Sequence, residues 1–145
     1  MASLIVGIAL GFVIGARVTR GTAEMSEMAL VVWQGQSAFL QYQHANDRSA
    51  EKALLEYADA LQRIQVGRNR FLSDGTSAAD MTLTYVRLAN IATRQGDASR
   101  AHVYISKAQE SCSLAGWKDC STQQIQAITD RIDQNAAYSR PGSAK

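Results

Sequence analysis

Residues 81–113 read MTLTYVRLANIATRQGDASRAHVYISKAQESCS, and this stretch decides the fold. Large and small apolar residues recur in it at helical spacing on both sides of Gly96. The small residues Ala89, Ala101 and Ala108 suit positions where two helices cross closely, and larger side chains fill the spaces between the crossings. The stretch therefore predicts two packed helices joined by a tight turn.

This pattern resembles the tetratricopeptide repeat, a helix–turn–helix unit of about 34 residues with large and small residues at fixed positions. The characteristic positions of the repeat are occupied, in chain order, by Tyr85, Leu88, Ala89, Gly96, Asp97, Ala101, Ile105 and Ala108. Ser113 stands where the repeat usually ends in proline. The resemblance implies a repeat protein whose first helices line a concave groove for a partner's peptide or helix. It places the partner-binding residues at Leu83, Val86, Asn90, Thr93 and Arg94.

A weaker copy of the pattern precedes the first one. Ala53, Tyr57 and Ala60 repeat the small–large–small spacing, and residues 25–43 can supply the first helix of this unit. The two copies are farther apart in sequence than the length of one repeat, so the array is irregular. The additional residues lie in the linker 66–76. An alternative is a helical bundle that is not a repeat, because alanine-rich helical hairpins share this spacing.

Beyond residue 20 the whole chain has helical character, with Pro141 as its only proline. We predict an all-α fold with five soluble helices at roughly 24–45, 49–65, 78–95, 98–113 and 121–137. Ser77 with Asp80, and Ser121 with Gln124, have the spacing of a capping box at a helix start. The last helix is expected to cap the array, with Ile125, Ile128 and Ile132 inward and Gln123, Gln124, Asp130 and Asp133 in water. The helical domain spans 21–138, and the tail 139–145 is predicted to be disordered.

The N-terminus carries an apolar run from Ala2 to Ala16, which ends at Arg17 and Arg20. No Lys or Arg precedes this run, so it lacks the basic start of a cleavable signal peptide. We predict that residues 1–20 form an uncleaved transmembrane anchor in a bacterial inner membrane. The alternative is a signal peptide that is removed. Positive charge after the run places the remaining chain on the cytoplasmic side.

Three glycines of the anchor recur at four-residue spacing: Gly7, Gly11 and Gly15. Small residues on one face of a membrane helix allow a second helix to approach closely. The spacing favours self-association of the chain through this helix. The alternative is that glycine is simply frequent in membrane helices.

Cys112 and Cys120 flank a short loop that contains Gly116, and this loop can bring the two sulfurs together. A disulfide there would require an oxidising compartment and hence a periplasmic domain. The arginines after the anchor instead predict a cytoplasmic domain with reduced thiols. We give the arginines precedence, because they are a direct topological signal.

Composition argues against several classes of function. After removal of Arg17 and Arg20, 13 basic residues balance 13 acidic ones, which is unlike a nucleic-acid binder with its basic face. His44 and His102 have no cysteine or carboxylate at the usual ligand spacing, so we predict no metal, no cofactor and no catalytic residues. Trp33 and Trp117 are interpreted as core anchors.

These observations together predict a membrane-tethered adaptor, which is not an enzyme and which binds a protein partner on its groove. The alternative is a structural subunit of an envelope complex or filament, assembled through the glycine-rich N-terminal helix.

Overall fold

The computed structural model describes the backbone of residues 2–67 and 73–138 and the side chains of residues 22–65 and 73–136. In this part of the chain there are five α-helices and no strand, so the prediction of an all-α fold is confirmed there. The helices are α1 (Ala2–His44), α2 (Asp47–Gly67), α3 (Asp74–Arg94), α4 (Ala98–Leu114) and α5 (Thr122–Tyr138).

The first helix is longer than the sequence suggested. The anchor predicted at 1–20 and the separate soluble helix predicted at 24–45 are parts of one helix, α1, which runs from Ala2 to His44. The side chains of the predicted anchor lie outside the described residues. Among the side chains that are described, no helical segment has the length and apolar character needed to cross a membrane.

The helices α3 and α4 form a hairpin about Gly96. The backbone N–H of Asp97 donates to the carbonyl of Ala92 at 2.9 Å, and Gly96 has a φ of 77°, a region in which a side chain is strained. The carboxylate of Asp97 then accepts from the backbone N–H of Arg100 at 2.9 Å and caps the start of α4. The turn therefore returns the chain along α3, as the sequence predicts.

The helix α3 is the centre of the domain, because α2, α4 and α5 all contact it. Its buried side chains include Tyr85, Leu88 and Ala89, and they meet Ala108 and Cys112 of α4 in one continuous core. The alanines expected at close crossings are buried at Ala89 and Ala108 and half-buried at Ala101. The alternation of large and small residues thus corresponds to real packing between the two helices.

The helices α1 and α2 form the other hairpin. Asn46 starts α2, since its side-chain oxygen accepts from the backbone N–H of Ser49 at 3.0 Å. Gly35 of α1 lies directly against the ring of Tyr57: a Cβ added there would be 2.7 Å from the Cζ atom of the tyrosine. The close approach of the two helices at this point depends on a residue with no side chain.

Two predicted details at helix starts have different outcomes. The helix α3 begins at Asp74 and not near residue 78, because Ser73 caps it by accepting from the backbone N–H of Thr76 at 3.2 Å. Ser77 is buried inside the helix, and its hydroxyl donates to the carbonyl of Asp74 at 3.1 Å. At α5 half of the predicted capping box is present: the Ser121 hydroxyl accepts from the backbone N–H of Gln124 at 3.4 Å, whereas the Ser121 N–H donates to the Asp119 carboxylate at 2.9 Å and not to the Gln124 side chain.

Candidate protein-interaction surfaces

The five residues predicted to line a groove do not share one exposed surface. Val86 is fully buried, so its assignment as a partner-binding residue is wrong for this structure. The reason is the central position of α3, whose neighbours α2, α4 and α5 leave it little free surface. Leu83 is half-buried, and the exposed Thr93 donates its hydroxyl to the carbonyl of Ala89 at 2.9 Å.

Asn90 and Arg94 are used to join the two hairpins. The amide of Asn90 donates to the Tyr42 hydroxyl at 3.4 Å. The guanidinium of Arg94 donates to the Asp47 carboxylate at 2.6 Å and lies 5.6 Å from the centre of the Tyr42 ring. The hydrogen bond from Arg94 and the charge of its guanidinium lower the pKa of Asp47 below its usual value. Asn90 and Arg94, both predicted to bind a partner, therefore already have partners in their own chain.

Arg87 occupies the middle of the domain and was not identified from the sequence. Its guanidinium donates to the Asp133 carboxylate of α5 at 2.6 Å, and it lies 4.7 Å from the centre of the Phe39 ring of α1. Arg87 and Asp133 are both largely shielded from water, with 9% and 19% of their side-chain surface exposed. The expectation that Asp133 faces water is therefore wrong: this carboxylate neutralises a buried arginine and ties α5 to α3.

A second polar pair lies beside this arginine. The Tyr57 hydroxyl of α2 donates to the Asp80 carboxylate of α3 at 3.0 Å. Burial raises the pKa of Asp80, while the hydrogen bond from Tyr57 and the charge of Arg87 act in the opposite direction. Burial also raises the pKa of Tyr57, with a further contribution from the charge of Asp80. No buried side-chain N or O atom of the described residues lacks a hydrogen-bond partner, so these groups serve the fold.

The outward side of α1 has the opposite character. Met25, Val32, Trp33 and Leu40 are each about half exposed or more, and Trp33 reaches 66%. The interpretation of Trp33 as a core anchor is therefore wrong, whereas Trp117 packs at the edge of the core. The side chains of α1 that face the domain are a different set, with Val31 and Ala38 buried.

Two shallow cavities follow this exposed side. One of about 370 Å³ is lined by Met25, Ala29, Val32 and others, and one of about 570 Å³ includes Leu40 and His44. Trp33 and Gln36 line both cavities and make them continuous along the helix. We define the α1 face as Met25, Ala29, Val32, Trp33, Gln36 and Leu40. It is a largely apolar surface that no described element of the chain covers.

Cys112 and Cys120 are joined by a disulfide, with their Cα atoms 5.8 Å apart. The bond closes the loop between α4 and α5. Gly116 makes this loop with a φ of 75°, and the backbone N–H of Trp117 donates to the Cys112 carbonyl at 3.3 Å. The pairing requires oxidising conditions.

Several predicted residues have no described side chain. Gly7, Gly11, Gly15, Arg17 and Arg20 lie outside the described side chains, and so does the tail 139–145. Within the described residues, no group of three or more His, Cys, Asp or Glu side chains is arranged to hold a metal ion.

No family model, curated protein or solved structure matches the chain.

Proposed function

We propose that this protein is a membrane-tethered adaptor that docks a helix of a protein partner against the α1 face. The observation that carries the proposal is the exposure of Met25, Val32, Trp33 and Leu40 along one side of a single helix. Contiguous exposed apolar patches are uncommon on soluble domains and are typical of interaction sites.

The shape and chemistry of the α1 face suit a helical ligand. Its apolar residues recur at three- and four-residue steps, which is the spacing that an amphipathic partner helix engages. Trp33 lines both cavities, and tryptophan is enriched among residues that dominate binding energy when an interface covers them. The partner site thus differs from the groove on α3 that the repeat resemblance implied, because α3 is largely enclosed.

The evidence for a membrane tether is the sequence of residues 1–20. Their apolar run belongs to α1, which continues to His44 as one helix. A rigid helix of this kind would carry the α1 face directly out from the membrane. One helix would therefore carry both the membrane anchor and the docking surface.

The side of the membrane follows from two signals that disagree. Arg17 and Arg20 favour the cytoplasm, whereas the Cys112–Cys120 disulfide favours the periplasm. We place the domain in the periplasm, because a bond between two specific residues across a tight turn requires an oxidising compartment. The positive charges of Arg17 and Arg20 constrain the orientation of the anchor less strongly, since other parts of a chain can override such charges.

A second function is favoured by the glycines of α1. Gly7, Gly11 and Gly15 suit close packing of membrane helices, which would make the chain a structural subunit of an envelope complex. In this case the helical domain would serve mainly as a spacer. The two functions differ in whether the α1 face binds anything.

Photo-crosslinking in membranes tests the proposed function. A photoreactive amino acid replaces Val32 in the full chain, and the cells are irradiated before gel analysis. We expect a discrete crosslinked band, which disappears when Trp33→Ala and Leu40→Ala are added. Because both residues are exposed, the double variant should keep the thermal unfolding temperature of the parent chain.

Leu30 supplies the matched control. It is 62% exposed but lies about 200° around the helix from Val32. Leu30 neighbours Trp33 at the edge of the α1 face that lies farthest from Val32, so the photoreactive group there should give a much weaker band. If Val32 gives no stronger band than Leu30, the α1 face does not bind a protein and the proposal is wrong.

A further inference from the structure

The α1 face has a regular register along the helix. From Thr22 onward, the positions Met25, Ala29, Val32 and Gln36 follow in alternating steps of three and four residues. This is the spacing of a heptad seam, in which two helices wind around each other with a slight left-handed twist. We call these positions, from Thr22 to Gln36, the stripe; its larger residues are among the exposed side chains of α1.

The charged residues of α1 are placed so that the stripe can pack against the same stripe of a second chain. Between residues 22 and 43 the only charged side chains are Glu24 and Glu27, and both lie off the α1 face. In a parallel pair, each seam position meets the same position of the second chain. A parallel pair of α1 helices would therefore bring no like charges together.

Gln36 supplies a feature that suits a pair of identical chains. It is exposed on the α1 face and is the one polar side chain among its six residues. A primary amide both donates and accepts, so two Gln36 side chains can hydrogen-bond to each other across a two-fold axis. A polar residue in a heptad seam is a common device for fixing the register of a parallel pair.

We infer that the α1 face is covered by the α1 helix of a second copy of this chain, which makes the protein a parallel dimer. The inference rests on the proposed function, because it names the partner of the same face. Met25, Ala29, Val32 and Gln36 form the seam, while Trp33 and Leu40 close over its side. The anchors of two chains in one membrane already point in the same direction, which removes part of the cost of association.

Two other occupants fit the α1 face less well. The tail 139–145 reads SRPGSAK and has no large apolar residue that could fill the cavities beside Trp33. A lipid surface is also a poor fit. If the anchor ends at Arg20, Trp33 stands roughly 20 Å and Leu40 roughly 30 Å beyond it along the helix. These residues would lie too far out for an upright helix to bring them to the headgroups.

Cysteine crosslinking of the full chain in its membrane tests the dimer. Met25→Cys and Val32→Cys place one thiol at a seam position, and Leu30→Cys places it at an equally exposed position off the stripe. Under mild oxidation, the seam variants should form a disulfide-linked dimer about tenfold more than Leu30→Cys, because paired seam positions lie within disulfide reach. Adding Val32→Glu to Met25→Cys should abolish this dimer by bringing two carboxylates together, whereas adding Leu30→Glu should leave it unchanged.

The outcomes separate the dimer from the adaptor. A seam-specific dimer that Val32→Glu removes supports the inference. Equal crosslinking of Met25→Cys and Leu30→Cys would overturn it. If the photoreactive group at Val32 captures a different protein while Met25→Cys gives no dimer, the second copy is excluded and the proposed function stands. If neither experiment gives a product, both are wrong.

Discussion

At the scale of single residues, the buried charge of Arg87 organises the domain. It contacts the Phe39 ring of α1 and the Asp133 carboxylate of α5, so one side chain of α3 links three helices. A guanidinium loses much of its hydration in such a place and needs a hydrogen-bonded counter-ion. Asp133 provides that counter-ion.

Removal of the counter-ion should be costly. Asp133→Ala leaves Arg87 buried without its carboxylate, and we expect the free energy of unfolding to fall by about 3 kcal/mol. Chemical denaturation of the full chain in detergent, followed by circular dichroism, measures the change. Asp130→Ala is the control, because Asp130 lies on the same helix but is exposed and bonds only to Gln126 among the described contacts. That variant should change stability by less than about 0.5 kcal/mol, and an equal loss in both variants would contradict the role given to Arg87.

The sequence did not reveal this arginine for a physical reason. Arg87 stands between Val86 and Leu88 in a helix with apolar residues on several sides, and its spacing matches no motif. Its partner lies 46 residues away in α5, so the ion pair exists only after the helices have been placed. The same holds for Tyr57 and Asp80, which are separated by 23 residues. Local periodicity predicts which residues face a core, but not which polar groups meet inside it.

At the scale of elements, the hairpin of α3 and α4 was the most predictable part. Its turn is fixed by local chemistry, since Gly96 takes a positive φ and Asp97 caps the next helix. The start of α3 was less predictable, because Ser73 and Ser77 are both plausible caps and only the packing of Ser77 in the core decides between them. The α1 face was missed altogether. Apolar residues at helical spacing normally indicate a buried side, and the sequence cannot tell the core of one chain from an interface between chains.

Gly35 is the point at which the packing of α1 against α2 is most sensitive. Gly35→Ala places a methyl group 2.7 Å from Cζ of Tyr57. The ring cannot swing away without loss of its hydrogen bond to Asp80. We expect the unfolding free energy to decrease by about 1–3 kcal/mol, which exceeds the gain in helix propensity.

A second glycine provides the comparison for this prediction. Gly75 also lies in a helix, but the nearest atom to an added Cβ is the Ala115 carbonyl oxygen at 3.8 Å, an ordinary contact. Gly75→Ala should therefore stabilise the domain by about 0.5–1 kcal/mol through the lower entropy of the unfolded chain. Thermal unfolding of both variants in parallel measures the difference. Stabilisation by Gly35→Ala would show that the contact between α1 and α2 is looser than described.

At the scale of the whole molecule, the helices divide between two tasks. The buried polar side chains described in α3 and α5 are satisfied within the domain, while no described element covers the α1 face. The only covalent link between distant residues in the described chain is the disulfide of the loop between α4 and α5. This loop is not part of the α1 face. The disulfide therefore indicates the compartment in which the domain lies and plays no part in docking.

The state of Cys112 and Cys120 in the cell tests the side of the membrane on which we place the domain. In the periplasm the disulfide is stable, so both thiols should resist maleimide in freshly lysed, denatured cells and react only after addition of a reductant. Alkaline phosphatase fused after Lys145 should also be active, because that enzyme itself needs an oxidising compartment. Cys112→Ser with Cys120→Ser should leave the fusion active, and in the unfused chain the same double variant should remove all maleimide labelling. This variant separates topology from the chemistry of the bond.

The two measurements must agree, since they respond to the same compartment by different routes. Immediate labelling of both thiols together with an inactive fusion would place the domain in the cytoplasm, as Arg17 and Arg20 alone predict. The core would tolerate that state, because a reduced Cys112 remains a small apolar side chain packed between α3 and α4. The disulfide closes a loop of only eight residues in sequence separation, so its loss should lower the unfolding free energy by about 2.5 kcal/mol. The α1 face and its dimer would remain intact, because neither depends on the cysteines.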